Sequence, residues 1–159
     1  MIIETVDGNL LDLFDKRWFN VIVHGCNCYQ TMGAGIAGQI SDRFPEALAA
    51  DMKTTKGPKK LGTYSSTLIS RDNVVYGHIV NMYTQDQPGP SSPEVLESSI
   101  RQGFSLLNQN RKDFSSTIPF IGIPMIGAGI ARGDWMRHVE IINEVTPDLD
   151  IVVINFKPY

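Results

Sequence analysis

Three continuous apolar runs, at residues 20–24, 120–126 and 151–154, constrain the fold of this chain more than any other feature. Runs of this kind predict strands covered on both faces, as in sheets that have helices on each side. Between them, segments such as 36–44 and 93–108 carry apolar residues at helical spacing. Strands and helices therefore alternate, and we expect an α/β fold: a three-layer α/β/α sandwich with a central mixed β-sheet.

Length, charge and cysteine content narrow the class of protein. The 159 residues suit a single domain over 1–159, and a net charge of −3 disfavours a broad basic face for duplex DNA. Cys26 and Cys28, the two cysteines, would lie about 6.6 Å apart along one side of a strand, which disfavours a disulfide. The first residues lack the basic start and apolar stretch of a signal peptide. We therefore expect reduced thiols and a cytoplasmic protein without a membrane span.

Turn residues and helical spacing predict the other elements. We expect strands at 1–6, 61–69, 74–82, 118–126 and 150–156, a turn at 7–9, and helices at 46–52, 93–108 and 134–145. The lysine-rich segment 53–60 is interpreted as a solvated loop. The segment 85–93, with three prolines, is long enough to take part in a site.

Two glycine-rich turns give the first chemical signal. Gly33-Ala34-Gly35-Ile36 and Gly127-Ala128-Gly129-Ile130 each follow a buried strand, and we expect a helix to begin within a few residues of each. Ligands bind at the carboxyl ends of strands in open α/β sheets. Glycine lets the backbone approach a ligand, and a helix N-terminus favours anions. The two turns therefore predict a diphosphate site built from backbone N–H groups.

Neither turn completes a better-known phosphate motif. The chain lacks a full Gly-x-Gly-x-x-Gly with its acidic partner, and no Gly-Lys-Ser/Thr follows either turn. A Rossmann dehydrogenase and a P-loop ATPase are therefore disfavoured.

The segment 24–28 precedes the first turn and supplies polar candidates. The Asn27 amide can donate to and accept from sugar hydroxyls, although it can equally cap a local turn. His24 is either a buried histidine or a base. The spacing of His24, Cys26 and Cys28 does not fit a zinc site, so we expect no metal and no cofactor. Phe156, after the last strand, either stacks on a base or packs as an ordinary aromatic.

Four blocks in this order resemble the macrodomain family, more narrowly its ADP-ribose 1″-phosphate phosphatase branch with small phage-encoded members. The blocks are Gly8–Leu11, Val23–Cys28, Met32–Ala37 and Ile123–Gly129, and the resemblance extends to Phe156. It implies a cleft on the sheet that binds ADP-ribose.

The resemblance also implies residue roles. Asn9, with Leu10 beside it, stands where many macrodomains have an Asp that bonds the adenine amino group, and Phe156 matches the aromatic that packs on adenine. Asn27 matches the residue that contacts the distal ribose. The loop residues implied to contact the distal ribose and diphosphate are Gly33, Ala34, Gly35, Ile36, Gly127, Ala128, Gly129, Ile130 and Ala131.

One departure from the family excludes a mechanism. A related branch uses a Lys and an Asp to remove ADP-ribose from acidic side chains. Here Asn81 or Met82 stands near the Lys position and Ala131 at the Asp position. That mechanism therefore looks unavailable.

The leading hypothesis is metal-independent hydrolysis of ADP-ribose 1″-phosphate to ADP-ribose and phosphate. Asn27 would hold the reacting end, and either His24 or Asp134 would activate water. One alternative is an ADP-ribosyl hydrolase acting on modified protein or nucleic acid, and the other is a non-catalytic ADP-ribose reader. The expected partner is the small-molecule ligand, with ADP-ribosylated macromolecules in the first alternative, no membrane, and a monomer as the default.

Overall fold

The computed structural model describes residues 1–129 and 131–157 of the chain. Six strands form its sheet: β1 (Ile2–Gly8), β2 (Val21–Cys26), β3 (Tyr64–Arg71), β4 (Val74–Tyr83), β5 (Phe120–Ile123) and β6 (Asp150–Phe156). Five α-helices accompany them: α1 (Leu10–Asp15), α2 (Gly35–Arg43), α3 (Pro45–Met52), α4 (Pro93–Gln109) and α5 (Trp135–Val145). Two short 3₁₀ turns lie at Pro58–Lys60 and Arg111–Asp113.

The strands run in the order β1-β6-β5-β2-β4-β3. The first five in this order are parallel to their neighbours, and only β3 is antiparallel to its neighbour, β4. The sheet is therefore mixed, as the sequence predicts. The carboxyl ends of the five parallel strands meet along one edge, which is the edge where α/β proteins bind ligands.

Apolar residues on both faces of the sheet hold helices against it. Val21 and Val23 of β2 pack with α4 and α5, whereas Ile22 packs with α1, α2 and α3 on the opposite face. Helix residues that complete these two cores are Leu11, Phe14, Ile40, Ala47, Ile100, Phe104, Ile141 and Ile142. Successive residues of a strand face opposite sides, so a continuous apolar run needs both helical layers. The three-layer α/β/α prediction is confirmed.

Three predicted elements differ from the structure. The predicted turn at 7–9 is wrong, because β1 continues to Gly8 and Asn9 caps the short helix α1, which was not expected. The strand expected over 118–126 spans only Phe120–Ile123. Pro119 and Pro124 flank it and have no N–H to donate to a neighbouring strand.

The third difference concerns the distance between the second glycine turn and its helix. Helix α5 agrees with the prediction over 134–145, but its first residue, Trp135, lies six residues after Gly129, farther than α2 lies from the first turn. The lysine-rich segment also departs from a fully solvated loop. Lys53 and Lys59 are exposed, but the Lys60 side chain is only 10% exposed and lies 3.7 Å from Asp51.

Candidate ligand-binding and active site

The loop after β2 is held in shape by the Asn27 side chain. Its Oδ1 accepts from the N–H of Tyr29 at 2.9 Å, and its Nδ2 donates to the carbonyl oxygen and hydroxyl of Thr31 at 2.9 and 2.8 Å. The local-turn interpretation of Asn27 therefore describes its contacts in the structure. The Oδ1 atom retains a second lone pair, so the amide can still meet a ligand hydroxyl.

The first glycine turn leads directly into α2. Ala34 is the N-cap residue in extended conformation, no side chain among the described residues caps this helix end, and Gly35 has φ of +57°. A Cβ atom built on Gly33 would meet nothing within 4 Å of the described structure. Ile36 packs against the core. This turn therefore combines open space beside Gly33 with uncapped backbone donors, which suits an anion.

The His138 side chain supports the second glycine turn through a hydrogen bond to the backbone just before it. The His138 Nδ1 donates to the carbonyl oxygen of Ile126 at 2.9 Å, and the Gly133 N–H donates to that of Gly127 at 2.6 Å. Gly127 has φ of +76°, and a Cβ there would approach the His138 ring at 2.8 Å. His138 carried no signal in the sequence. Its place under a glycine turn becomes visible only once α5 is folded.

The other predicted site residues of the loop after β5 differ in their exposure and contacts. Gly129 is exposed, with open space where a Cβ would lie, Ala128 is half-buried, and Ala131 is buried. Ile130 lies outside the described residues. Asp134 is an exposed N-cap of α5, and its Oδ1 accepts from the Met136 N–H at 3.1 Å. This contact makes Asp134 the cap of α5, whereas in the sequence it is a candidate base.

His24 lies inside the protein and does not meet the solvent. It is fully buried, and its Nε2 donates to Asn81 Oδ1 at 2.7 Å. Burial lowers the pKa of His24 from its ordinary 6.5 to about 4, so the ring is neutral at pH 7. A base must be within reach of the water that it activates. The geometry therefore gives no support to His24 as the base, and the structure favours the buried-histidine interpretation.

Asn9 and Phe156 lie at the β1–β6 end of the sheet edge that carries the carboxyl ends of the parallel strands. Asn9 Oδ1 accepts from the N–H groups of Leu11 and Asp12 at 3.1 and 3.2 Å, and Leu10 is buried in the core. Phe156 is 58% exposed at the end of β6. Gly8 pairs with Phe156 in the register between β1 and β6. An exposed aromatic ring therefore stands directly across from the cap of α1.

Residues 84–92, here called the bridging loop, join the two sides of the edge. The N–H groups of Thr84 and Gln85 donate to the carbonyl oxygen of Cys26, at 3.1 and 3.4 Å. At the other end of the loop, the Ser91 N–H donates to the carbonyl oxygen of Ala131 at 3.1 Å. The bridging loop thus contacts the end of β2, before the first glycine turn, and Ala131, after the second. Its length was the signal that pointed to it in the sequence.

A buried polar network next to the site was not expected. The Tyr83 hydroxyl donates to Asp51 Oδ1 at 2.8 Å and accepts from Ser65, and Lys60 lies over the Tyr83 ring at 4.0 Å. The Gly57 N–H donates to the carbonyl oxygen of Cys28, which ties this region to the first loop. No pattern in the sequence pointed to Asp51, which is buried on α3. Because the charged groups of this network are buried together, the network helps to hold the loop after β2 in place.

Metal ligands and membrane spans are not found in the part of the chain described. No group of three or more His, Cys, Asp or Glu side chains lies close enough to hold a metal ion there. No helix there is both long and apolar enough to cross a bilayer. Both thiols, Cys26 and Cys28, are free and buried.

Two shallow cavities lie away from the glycine loops. One of 360 Å³ is between Leu61 and α4, and one of 370 Å³ is between α3 and β3. None of the residues that line them belongs to either glycine loop. We give more weight to the loops, because donors converge at a strand edge there and not in these cavities.

A family model and a known protein are similar to this chain in sequence. The family model described as Macro domain matches residues 23–142. An uncharacterised 17.5 kDa protein of enterobacteria phage T4, from the tk-vs intergenic region, is 35% identical over 161 residues, covering 99% of each chain.

Solved structures share the fold. The macrodomain of Thermus aquaticus DarG has a TM-score of 0.72 at 21% identity and covers 99% of this chain and 100% of its own. Thermosipho africanus DarTG, solved in complex with ADP-ribose, has a TM-score of 0.68 at 17% identity, covering 97% of this chain and 41% of its own.

Proposed function

Because this chain belongs to the Macro domain family, we propose that it binds ADP-ribose and hydrolyses ADP-ribose 1″-phosphate to ADP-ribose and phosphate. One observation carries the proposal. Glycine turns with open space beside Gly33 and Gly129 follow neighbouring parallel strands, β2 and β5. Backbone donors at such a place hold a diphosphate without a cluster of basic side chains. A related fold in complex with ADP-ribose supports this choice of ligand.

The order of the strands orients the ligand along the edge. We assign adenine to the exposed ring of Phe156 at the β1–β6 side, the diphosphate to the two glycine loops, and the distal ribose to Asn27. Asn9 Oδ1 already accepts two backbone N–H groups. An amide oxygen has two lone pairs, so Asn9 would meet adenine with its Nδ2 as a donor rather than by accepting from the adenine amino group.

Catalysis in this proposal depends on fixed donors. Backbone N–H groups face the terminal phosphate and stabilise the charge that develops on it. The free lone pair of Asn27 Oδ1 accepts from a hydroxyl of the distal ribose. The proposed reaction uses no metal ion, so we expect phosphate release to continue in the presence of EDTA. The site is assigned to one domain, acting on a small molecule as a monomer.

Phosphate release from ADP-ribose 1″-phosphate, measured beside calorimetric titration with ADP-ribose, tests the proposal. Release together with binding supports the phosphatase. Binding without release would contradict the phosphatase and leave a reader or a hydrolase of macromolecular adducts. Absence of both would contradict ADP-ribose as the ligand.

Exposed lysines favour one second candidate, removal of ADP-ribose from modified nucleic acid or protein. Lys53, Lys56 and Lys59 are exposed on a segment that the Gly57 N–H ties to Cys28, beside the first loop. Cations at this place would attract a phosphodiester backbone. Release of ADP-ribose from a modified oligonucleotide, lost at high salt, is the expected result of this candidate.

A further inference from the structure

A carboxylate on the bridging loop lacks a donor. Within residues 1–129 and 131–157, the Oδ1 atom of Asp86 is buried and no hydrogen-bond donor reaches it. It is the single buried side-chain nitrogen or oxygen of the described chain in this condition. Buried polar atoms in folded proteins are almost always paired, and an unpaired one costs stability. An acceptor kept in this state is therefore suited to a donor that arrives from outside the chain.

The backbone of Asp86 is fixed next to the first loop. The Cys28 N–H donates to the Asp86 carbonyl oxygen at 2.8 Å, and Cys28 directly follows Asn27. Burial raises the pKa of the Cys28 thiol to about 11, and the nearby Asp86 carboxylate adds to this rise. The backbone of Asp86 therefore lies beside the Asn27–Cys28 segment, and its carboxylate is near enough to raise the pKa of the Cys28 thiol.

The same position lies at the reacting end of the proposed ligand. Adenine is assigned to the β1–β6 side and the diphosphate to the loops after β5 and β2. The next strand in the order is β4, which is followed by the bridging loop. A ligand laid along this edge brings its distal ribose and terminal phosphate to the gap between β2 and β4. Asp86 is the acidic residue of the bridging loop.

We propose that Asp86 is the catalytic base of this site and holds the attacking water, an inference that rests on the proposed function. The Asp86 carboxylate takes a proton from water while the water oxygen forms a bond to phosphorus. The bond between phosphorus and O1″ breaks, and its electron pair stays on O1″. The proton then passes from Asp86 to O1″, which gives ADP-ribose and hydrogen phosphate and restores the carboxylate. His24 is fully enclosed with its ring bonded to Asn81, whereas Asp86 as a residue is only half-buried. Asp134 caps α5, so neither His24 nor Asp134 competes for this role.

The substitution Asp86→Asn tests the base because it keeps the shape and removes the proton acceptor. We expect kcat for phosphate release to fall by about 100-fold or more, while the Kd for ADP-ribose stays within about threefold of wild type. A fall in kcat at an unchanged Kd is the split that a merely structural role of Asp86 would not produce.

The matched control is Asp72→Asn. Asp72 lies in the β3–β4 turn at the other end of β4, with φ of +51°, a conformation that asparagine adopts readily. We expect this variant to keep both turnover and ADP-ribose binding. Thermal unfolding of Asp86→Asn should occur at the wild-type temperature or above it, because the buried, unpartnered oxygen then belongs to a neutral amide. If Asp86→Asn does not fold, Asp86→Ser replaces it under the same criteria.

Three outcomes overturn the inference in different ways. Turnover of Asp86→Asn within about threefold of wild type means that Asp86 is not the base. Equal loss of turnover and ADP-ribose binding means that Asp86 holds the ligand and not the water. Wild-type protein that binds ADP-ribose but releases no phosphate shows that the proposed reaction itself is wrong, and the base fails with it.

Discussion

His24 shows how burial decides the chemistry of a single residue. Its ring is fully enclosed and bonded to Asn81, and burial lowers its pKa to about 4. The folded protein therefore resists protonation of His24, whereas the unfolded chain accepts a proton near pH 6.5. Between these two pH values the unfolded state binds more protons, so stability falls as the pH is lowered.

The His24 shift predicts an acid sensitivity that the variant His24→Gln should lack. Wild-type protein should lose up to about 3 kcal/mol of its unfolding free energy to this residue between pH 6.5 and pH 4, since each unit of pKa shift is worth about 1.4 kcal/mol. Urea unfolding at pH 7.5 and pH 4 measures the loss. Equal pH dependence in the two proteins would contradict the buried neutral histidine.

Asn27→Ala is predicted to lower phosphate release by about 100-fold. The substitution removes the amide oxygen that is assigned to accept from the distal ribose, together with the bonds that shape the loop. The matched control is Thr31→Val, which deletes the hydroxyl that Asn27 contacts at 2.8 Å and keeps the amide. Thr31→Val should retain most of the turnover. If both variants lose turnover equally, the role of Asn27 is to shape the loop and not to contact the substrate.

The two glycine turns differ as structural elements, although their sequences match. At Gly127 the positive φ and the His138 ring both exclude a side chain, whereas the space beside Gly33 is open and its φ is not positive. One glycine is thus needed to fold its turn, and the other leaves space that a ligand can use. Gly35, with φ of +57°, combines both properties, and a variant there would not separate them.

This contrast predicts opposite results for two alanine variants. Gly127→Ala should lower the unfolding free energy by about 1–3 kcal/mol through backbone strain and a clash. Gly33→Ala should change stability by less than about 0.5 kcal/mol and weaken ADP-ribose binding, because the methyl group enters the diphosphate space. Denaturation and calorimetry on both variants check this. Unchanged affinity in a stable Gly33→Ala would contradict the assignment of this turn.

The sequence predicts elements well where a long apolar pattern defines them. The runs at β2 and β6 and the periodic helix α4 agree with the structure within about a residue or two. The short helix α1 was missed, because Asn9, which caps it, is a residue type that is also typical of turns. The location of the site, inferred from its glycines, stays a prediction. A local turn at Asn27 and burial of His24 were among the alternatives, but their partners Thr31 and Asn81 were not predicted. Asn81 is 57 residues from His24 in the chain, and only the folded sheet brings the two together.

At the scale of the whole molecule, the site depends on one sheet that connects both helical layers. Every strand pairs with a neighbour. The same strands supply residues from one face to the first apolar core and from the other face to the second. We therefore propose that the chain unfolds as one cooperative unit, as small single domains usually do.

This proposal predicts a single unfolding transition. Fluorescence of Trp18 in its exposed position and Trp135 against the core should change together with far-UV circular dichroism. ADP-ribose at about 100 times its Kd should raise the unfolding free energy by about 2.7 kcal/mol, because only the folded state binds it. Separate transitions for the two signals would contradict a single domain.

The pairing of β1 with β6 carries a consequence for the order of folding. Ile2 lies beside Ile151, whereas β3 and β4 form a hairpin joined by a short turn. Contacts between distant parts of a chain close more slowly than local ones. Asn9 and Phe156, the proposed adenine residues, flank the distant pair. In refolding, the hairpin should gain protection from hydrogen exchange first, and the capacity to hold adenine should come in the last kinetic phase.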